Sequence, residues 1–580
     1  MKRLFRRPLA SPNDRPRLAR FEPWIEKLKQ FIRVNFGFIA DAYDLFVINL
    51  VIQTLHFLYG ASWKTYYSSM LGSAAIIGMI TGQLTGGALA DMFGRKPAFV
   101  VAAMLTVLGS VLSAVAVAPK PSEDGSIVSL AGFMAQLCCF RFLLGLGIGA
   151  EYPLASTVAY EHEHETSPRD EAKSVRSVLG VFCMQGVGFL LCPIVFLILL
   201  STISSYSVIW RLALGLGSIP SFIAFLFRLT MHESQEWIHK QEAIEGHENA
   251  SVERRESVER TISKAVERNL AEPSQNEPHI STASISLKTK VDEESGVNVL
   301  HENGDDDYKN EDAEEEEDEQ EESDSDEDDP SMYFNEAKPV VTKPGTHETI
   351  PALLWKYRRS LLVSACSWFI FDVTFYGNAL IQASIEEASG VGTTLRDDTF
   401  NALRVAFLAL PGYVLSYLFA YRIGLKLLQV IAFVFLTILY TLLAVLLPYL
   451  KKWFIVVYGS SFLFSNLGRS TVFVLAAKLF PSEIRATCHG ISSASGKIGA
   501  LVGSFMFSPI AAHTGAFAVF ISCAAFSGAG FFVALLLPSQ KCPKVSKEAN
   551  DASEPLNSET AKELPDLKDL ELELTNGAHI

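Results

Sequence analysis

Twelve stretches of roughly 20 mostly apolar residues, set six and six about a long polar interval, leave this chain little choice but a bundle of membrane-spanning helices. They lie near 34–58, 70–91, 97–118, 130–158, 175–201 and 210–229, and then near 360–383, 400–421, 425–449, 453–477, 486–511 and 515–537. In hydrocarbon a backbone N–H has no water to bond, so an isolated apolar segment must satisfy itself as a helix. Hydrophobic residues make up 49% of the 580, and the mean hydropathy is +0.23, too apolar for an ordinary soluble chain. The expected fold is all-α: twelve transmembrane helices in two six-helix bundles.

Charge is confined between and outside these stretches. The expected layout is an N-terminal segment over 1–33, a six-helix bundle over 34–229, an acidic linker over 230–350, a second bundle over 351–537 and a polar tail over 538–580. The linker carries Asp305-Asp-Asp, Glu314-Glu-Glu-Glu-Asp-Glu319 and Ser323-Asp-Ser-Asp-Glu327 with hardly an aromatic residue, a composition that cannot pay for ordering and predicts disorder. Ser323 and Ser325 sit among acids, as acid-directed kinases favour, although a plain solvated spacer is the better explanation. The formal net charge of −15 owes much to this linker and says little about the membrane core. Basic residues mark the cytosolic side. Arg3, Arg6, Arg7 and Arg20 precede the first stretch, Arg95 and Lys96 follow the second, and Arg169, Lys173 and Arg176 follow the fourth, so both termini are expected in the cytosol. Lys451 and Lys452 run against that scheme. Eight scattered cysteines form no CxxC pair. Glu161-His-Glu-His-Glu165 resembles a metal cluster, but its position at the end of the fourth stretch reads better as a solvated helix end.

Ionisable residues inside apolar runs are the informative ones, because each costs several kcal/mol in hydrocarbon unless it faces a wet cavity or a partner. Asp41 and Asp44 fall in the first stretch, Glu151 in the fourth, Asp372 in the seventh, Arg469 in the tenth and Lys497 in the eleventh. Trp368, Asp372 and Tyr376 recur every four residues and share one helical face. Such an array suits protons and an anion. No nucleophile, metal-ligand or cofactor constellation emerges, so neither an enzyme nor a cofactor is expected, and nothing points to nucleic acid.

Gly87-Ala-Leu-Ala-Asp91-Met-Phe-Gly94-Arg95-Lys96 closes the second stretch and resembles the GxxxDxxGRK signature of the major facilitator superfamily. That resemblance implies a gate made by Asp91, Gly94, Arg95 and Lys96, with Arg141 of the fourth stretch added to the set. The matching site after the eighth stretch keeps Gly424 and Lys426 but has Tyr421 and Leu425 in place of the acid and arginine, implying a weaker second gate. Arg141-Phe-Leu-Leu-Gly145-Leu-Gly-Ile-Gly149-Ala-Glu151-Tyr152-Pro153 is similar to the fourth-span signature of the phosphate:proton symporters, with Ala-Glu where that family has Gly-Asp. The resemblance implies that Tyr152, Gln185, Trp368, Asp372, Tyr376 and Lys497 contact the anion, and that Asp41, Asp44, Glu151 and Asp372 handle protons. A structural pairing of Glu151 with Arg141 is the plainer alternative. Lysine, a compact point charge, suits phosphate.

The tenth stretch departs from that family. Counting back from Phe480-Pro481 puts Arg469 at the family's phosphate-binding asparagine, whereas a one-residue gap would put Ser470 there. Arg469 is taken as a further substrate contact. With Ala476-Ala-Lys-Leu-Phe-Pro481, the chain resembles the yeast glycerophosphodiester permeases, the glycerophosphoinositol permease among them. The implied function is proton-coupled import of a glycerophosphodiester by alternating access at the plasma membrane. Inorganic phosphate is the alternative cargo, and a non-transporting nutrient receptor a further one.

Overall fold

Helices account for every regular element among the residues described by the computed structural model, which are 15–120, 129–166, 171–234, 350–380, 394–450 and 453–537, with isolated residues between Trp237 and Ser263 and at Gln382. The acidic runs of the linker, Ser323, Ser325 and the tail over 538–580 lie outside the described residues. In chain order the helices are α1 (Arg15–Tyr59), α2 (Thr65–Phe93), α3 (Arg95–Ala114), α4 (Ala131–Thr166), α5 (Glu171–Thr202), α6 (Tyr206–Gly215), α7 (Ser218–Leu229), α8 (Ile350–Lys356), α9 (Arg358–Leu380), α10 (Leu395–Ile423), α11 (Leu425–Leu450), α12 (Phe454–Lys478) and α13 (Arg485–Leu535). Helices α6 and α7 together make one span, Tyr206–Leu229. Helix α13 makes two, because Gly515 breaks it with a φ of 79°.

Among the described residues, ten spans are long and apolar enough to cross a membrane. Helix α12 and the part of α13 before Gly515 complete the expected twelve. These two are less apolar because they face protein rather than lipid: α12 buries Ser461, Ser465, Asn466, Arg469, Ser470 and Thr471. Helix α11 does the reverse and exposes Leu427, Val434, Phe435, Ile438, Leu442 and Val445, a face suited to acyl chains. Several helices outrun their apolar cores, as α1 does in starting at Arg15, since polar ends can extend into the headgroups.

The described residues up to Trp237 and from Ile350 onward form a first compact unit, which holds α1 to α13. Within the first unit α2 and α3 pack on α4 and α1 packs on α5, while α9 packs on α13 and α10 on α12. The two halves meet where α2 lies along α13 and α5 along α10. Close backbone approach makes these seams possible: a Cβ on Gly78 would come within 2.2 Å of the Phe142 carbonyl oxygen, and one on Gly490 within 2.2 Å of the Gln83 carbonyl oxygen. Only small residues permit that spacing.

Candidate functional site

Where the halves meet lies a fully buried ionic cluster. Asp372 of α9 is gripped from two sides: Arg469 Nε of α12 donates to its Oδ1 at 2.8 Å, and Lys497 Nζ of α13 to its Oδ2 at 2.7 Å. Both cations reach the Tyr376 hydroxyl as well, Lys497 at 3.2 Å and Arg469 at 3.4 Å. Arg469 also stacks over Phe375, 4.0 Å from the ring centre, and donates to Asn466 Oδ1 at 3.4 Å. Asp372, Arg469 and Lys497 have no exposed side-chain surface. With Asp372 ionised, two cations and one carboxylate leave a formal charge of +1. Such a desolvated surplus is tolerable only while the remaining donors are satisfied.

Tyr152 closes the cluster from the N-terminal half. Its ring lies 5.5 Å from Lys497 Nζ, and its hydroxyl accepts from Gln185 Nε2 at 2.9 Å. Trp368 is buried one turn before Asp372 on α9 and meets Phe473 and His489 edge-on at 6.2 and 5.5 Å. The structure thus brings Tyr152, Gln185, Trp368, Asp372, Tyr376, Arg469 and Lys497 into one neighbourhood. Ser470, the alternative register, instead donates to the Asn466 carbonyl at 2.7 Å.

Glu151 does not join them. Successive residues of a helix point about 100° apart, and the turn that aims Tyr152 at Lys497 aims Glu151 into the N-terminal half. There Arg228 of α7 grips it with both terminal nitrogens, one at 2.9 Å to Oε2 and the other to Oε1. Arg228 is fully buried and lies 3.8 Å from the Phe99 ring centre. It was legible as a charged residue in an apolar run, but a partnership between the fourth and sixth spans leaves no trace in sequence spacing. Asp41 faces this pair, with Glu151, Arg228, Asp44 and Tyr152 all within electrostatic reach, and neither of its oxygens has a hydrogen-bond partner among the described residues. Asp44 is buried and borders Ser110 at 3.5 Å. Arg141 donates to the Asp44 carbonyl and lies in this cluster, apart from the Asp91 set with which its sequence position had grouped it.

Asp91 anchors a second buried network where α2 meets α13. Its Oδ1 takes Arg95 Nη1 at 2.6 Å, while its Oδ2 accepts from Thr487 N and Oγ1 at 2.8 and 2.7 Å. Arg95 continues to Glu161 Oε1 at 3.0 Å, and Glu161 takes Arg485 from the other half at 3.1 Å. Glu161 is 1% exposed, so the first acid of the Glu-His-Glu-His-Glu run is not a solvated helix end. It turns inward because two guanidinium groups compensate its burial. Gly94 holds a φ of 103° that lets the chain reverse between α2 and α3, and Glu233 caps the new helix from Arg95 N at 2.7 Å and Lys96 N at 3.1 Å. Ser234 donates to Glu161 at 2.9 Å. The polar interval expected from 230 therefore begins docked against this network. The counterpart after α10 repeats the turn, with Gly424 at a φ of 92°, but Lys426 there binds the Leu535 and Leu537 carbonyls at 2.8 and 2.6 Å.

Comparison with known proteins agrees with this architecture. A family model described as sugar (and other) transporter matches residues 31–291 and 311–542. Among curated proteins, a putative inorganic phosphate transporter 1-13 of Oryza sativa subsp. japonica is 29% identical over 551 residues, covering 89% of this chain and 90% of that protein. The low affinity inorganic phosphate transporter 1 of Petunia hybrida is 29% identical over 521 residues, covering 81% and 80%. Among solved structures, the major facilitator superfamily proton:xylose symporter XylE bound to 6-bromo-6-deoxy-D-glucose superposes with a TM-score of 0.58 at 16% identity, over 88% of this chain and 96% of that one. The partially occluded inward open form of XylE from E. coli gives 0.56 at 16% identity, over 89% and 99%.

Proposed function

The chain belongs to the sugar (and other) transporter family, a multi-pass membrane transporter and not an enzyme, and on that premise we propose that it is a proton-coupled symporter importing inorganic phosphate by alternating access. The observation that carries this reading is the single carboxylate, Asp372, held between Lys497 and Arg469. While ionised, Asp372 occupies the donors an anion would need. A proton on Asp372 frees both cations but raises the formal charge to +2, and a buried unpaired charge costs several kcal/mol. Phosphate dianion restores neutrality. Neither proton nor anion is stable in the site alone, which is the physical meaning of coupling. The relatives named as inorganic phosphate transporters support this cargo better than a glycerophosphodiester.

In the proposed cycle the Asp91 network is the cytosolic gate, latched here across both halves. Phe46 stacks on Tyr376 at 6.0 Å with planes 4° apart and closes the opposite face. Asp41 and Asp44 lead protons inward, both termini are cytosolic, and the membrane is the plasma membrane.

One observation favours a phosphodiester as a second reading: Arg469 adds a donor able to grip both free oxygens of a phosphodiester bidentately. Proteoliposomes carrying an imposed pH gradient test both. Labelled phosphate should accumulate, and excess glycerophosphocholine should compete poorly. The reverse order would favour the phosphodiester, and binding without gradient-driven uptake would make the protein a receptor. Arg469→Asn should weaken phosphate affinity roughly 10- to 100-fold, as expected for losing a charge-assisted hydrogen bond.

A further inference from the structure

We propose that Arg228 is a positioning residue that ties the cytosolic latch to the proton held by the Asp41 and Glu151 carboxyls. The inference rests on the transport reading above and adds to it a mechanical link between two clusters.

Two observations meet in Arg228. Its guanidinium clamps Glu151 at both oxygens, while Asp41 across from it has no hydrogen-bond partner for either oxygen among the described residues. Two facing carboxyls with one cation settle as one ion pair and one neutral acid, because a second uncompensated charge in this setting is too costly. Arg228 fixes Glu151 as the carboxylate and leaves Asp41 with the proton. Gly37, one turn before Asp41 on α1, makes room for this: a Cβ there would fall 1.8 Å from Glu151 Oε1 and 2.2 Å from Arg228 Nη2.

The second observation is where the chain goes next. Arg228 lies in the last turn of α7, and Met231 N bonds back to its carbonyl at 3.0 Å. Two residues on, Glu233 caps α3 at Arg95 and Lys96, and Ser234 reaches Glu161. The side chain that holds Glu151 and the backbone that holds the latch therefore share one short, continuous piece of chain. Phe99, under the Arg228 guanidinium, sits one turn after Arg95 on the helix that the latch caps.

Proton movement then has a mechanical consequence. The proton on Asp41 passes to Glu151, Glu151 becomes the neutral acid and Asp41 the carboxylate. Arg228 loses its bidentate partner and turns toward Asp41, drawing the end of α7 with it and loosening Glu233 and Ser234 from the gate. The other charged groups facing this pair do not substitute for Arg228. Asp44 lies beside Asp41 on α1, Arg141 of α4 is committed to the Asp44 side, and Tyr152 is bonded to Gln185.

Two readouts on full-length protein in liposomes test the link, one independent of any cargo. Cys488 is fully buried close behind Thr487 of the latch, and its alkylation by a membrane-permeant maleimide, quantified by mass spectrometry, reports latch opening. In the wild type, labelling should be at least about threefold faster near pH 5.5 than near pH 8, because at low pH a proton from solution refills Asp41 after its own has passed to Glu151, and Arg228 is then left without a carboxylate partner. Arg228→Met should erase that pH response, and Arg228→Lys should restore part of it. In the transport arm, Arg228→Met should retain phosphate exchange at zero gradient within roughly twofold yet lose pH-driven accumulation, and Arg228→Met with Glu151→Gln should regain part of it by removing the stranded carboxylate. A wild-type pH response in Arg228→Met overturns the proposal, as does loss of exchange that the double variant does not repair. If labelling behaves as expected but no phosphate moves, the cargo assignment falls and the Arg228 link stands.

Discussion

The two halves of the bundle bury ionisable groups in opposite proportion. Among the described residues the N-terminal half buries Asp41, Asp44, Asp91, Glu151 and Glu161 against Arg95, Arg141 and Arg228, whereas the C-terminal half buries Arg469, Arg485 and Lys497 against Asp372. Their bonding differs as well. Both oxygens of Asp372 are taken by cations, while those of Asp41 have no hydrogen-bond partner among the described residues. One architecture, used twice, thus carries two electrostatic environments: an acid-rich one suited to holding a proton and a cation-rich one suited to holding an anion. In the proposed cycle the division of labour between the halves follows from that imbalance.

The comparison breaks most visibly if Asp372 and Asp41 behave alike on losing their charge. Asp372→Asn strands Arg469 and Lys497, and breaking a buried ion pair on one side costs about 3–5 kcal/mol. Gradient-driven accumulation should fall by roughly 100-fold or more, and the melting temperature should drop. Asp41→Asn removes no ion pair. It should also lose accumulation but keep near-wild-type thermal stability in detergent. Equal destabilisation by the two substitutions would mean that the halves do not differ as their geometry indicates, and robust uphill uptake by Asp372→Asn would remove that residue from coupling.

Much of the C-terminal cluster was legible in the chain because its signals are local. Trp368, Asp372 and Tyr376 share a helical period, and Lys497 and Arg469 stand out as charges in apolar runs. The twelve spans were legible for the same reason, with boundaries that differ by a few residues where charged helix ends continue past the hydrocarbon. What spacing could not supply was pairing across distant spans. Glu151 carries the acid that its motif implies, yet its orientation depends on Arg228, 77 positions later. Glu161 sits in a run so polar that solvation was the natural reading, and its burial is offset by Arg95 together with Arg485, 324 positions away.

That seam offers a sharper test of the comparison, because it is where an acid of one half takes a cation of the other. Glu161→Gln leaves Arg95 and Arg485 facing an amide that can accept but cannot neutralise. Charged hydrogen bonds contribute about 1.5–3 kcal/mol, so the latched state should lose roughly 10-fold or more in population. Cys488 alkylation should rise accordingly, and its pH dependence should flatten, while phosphate affinity measured from the outer face should weaken. A variant that labels at the wild-type rate would show that Asp91 and Thr487 hold the seam without Glu161.

The smallest effect belongs to another ion pair that crosses between the halves. Lys478 at the end of α12 meets Glu171 at the start of α5 at 2.8 Å, with side chains 22% and 43% exposed. Distance alone would rank this contact with Arg95 and Glu161. Solvent decides otherwise: exposed pairs contribute about 0–1 kcal/mol, and salt screens them further. Lys478→Ala should leave transport within roughly twofold of wild type and Cys488 labelling unchanged, with any residual difference vanishing at high ionic strength. A Lys478→Ala phenotype as large as that of Glu161→Gln would mean that burial does not set the strength of the contacts between the halves. The contrast between a desolvated latch and a hydrated one would then have to be abandoned.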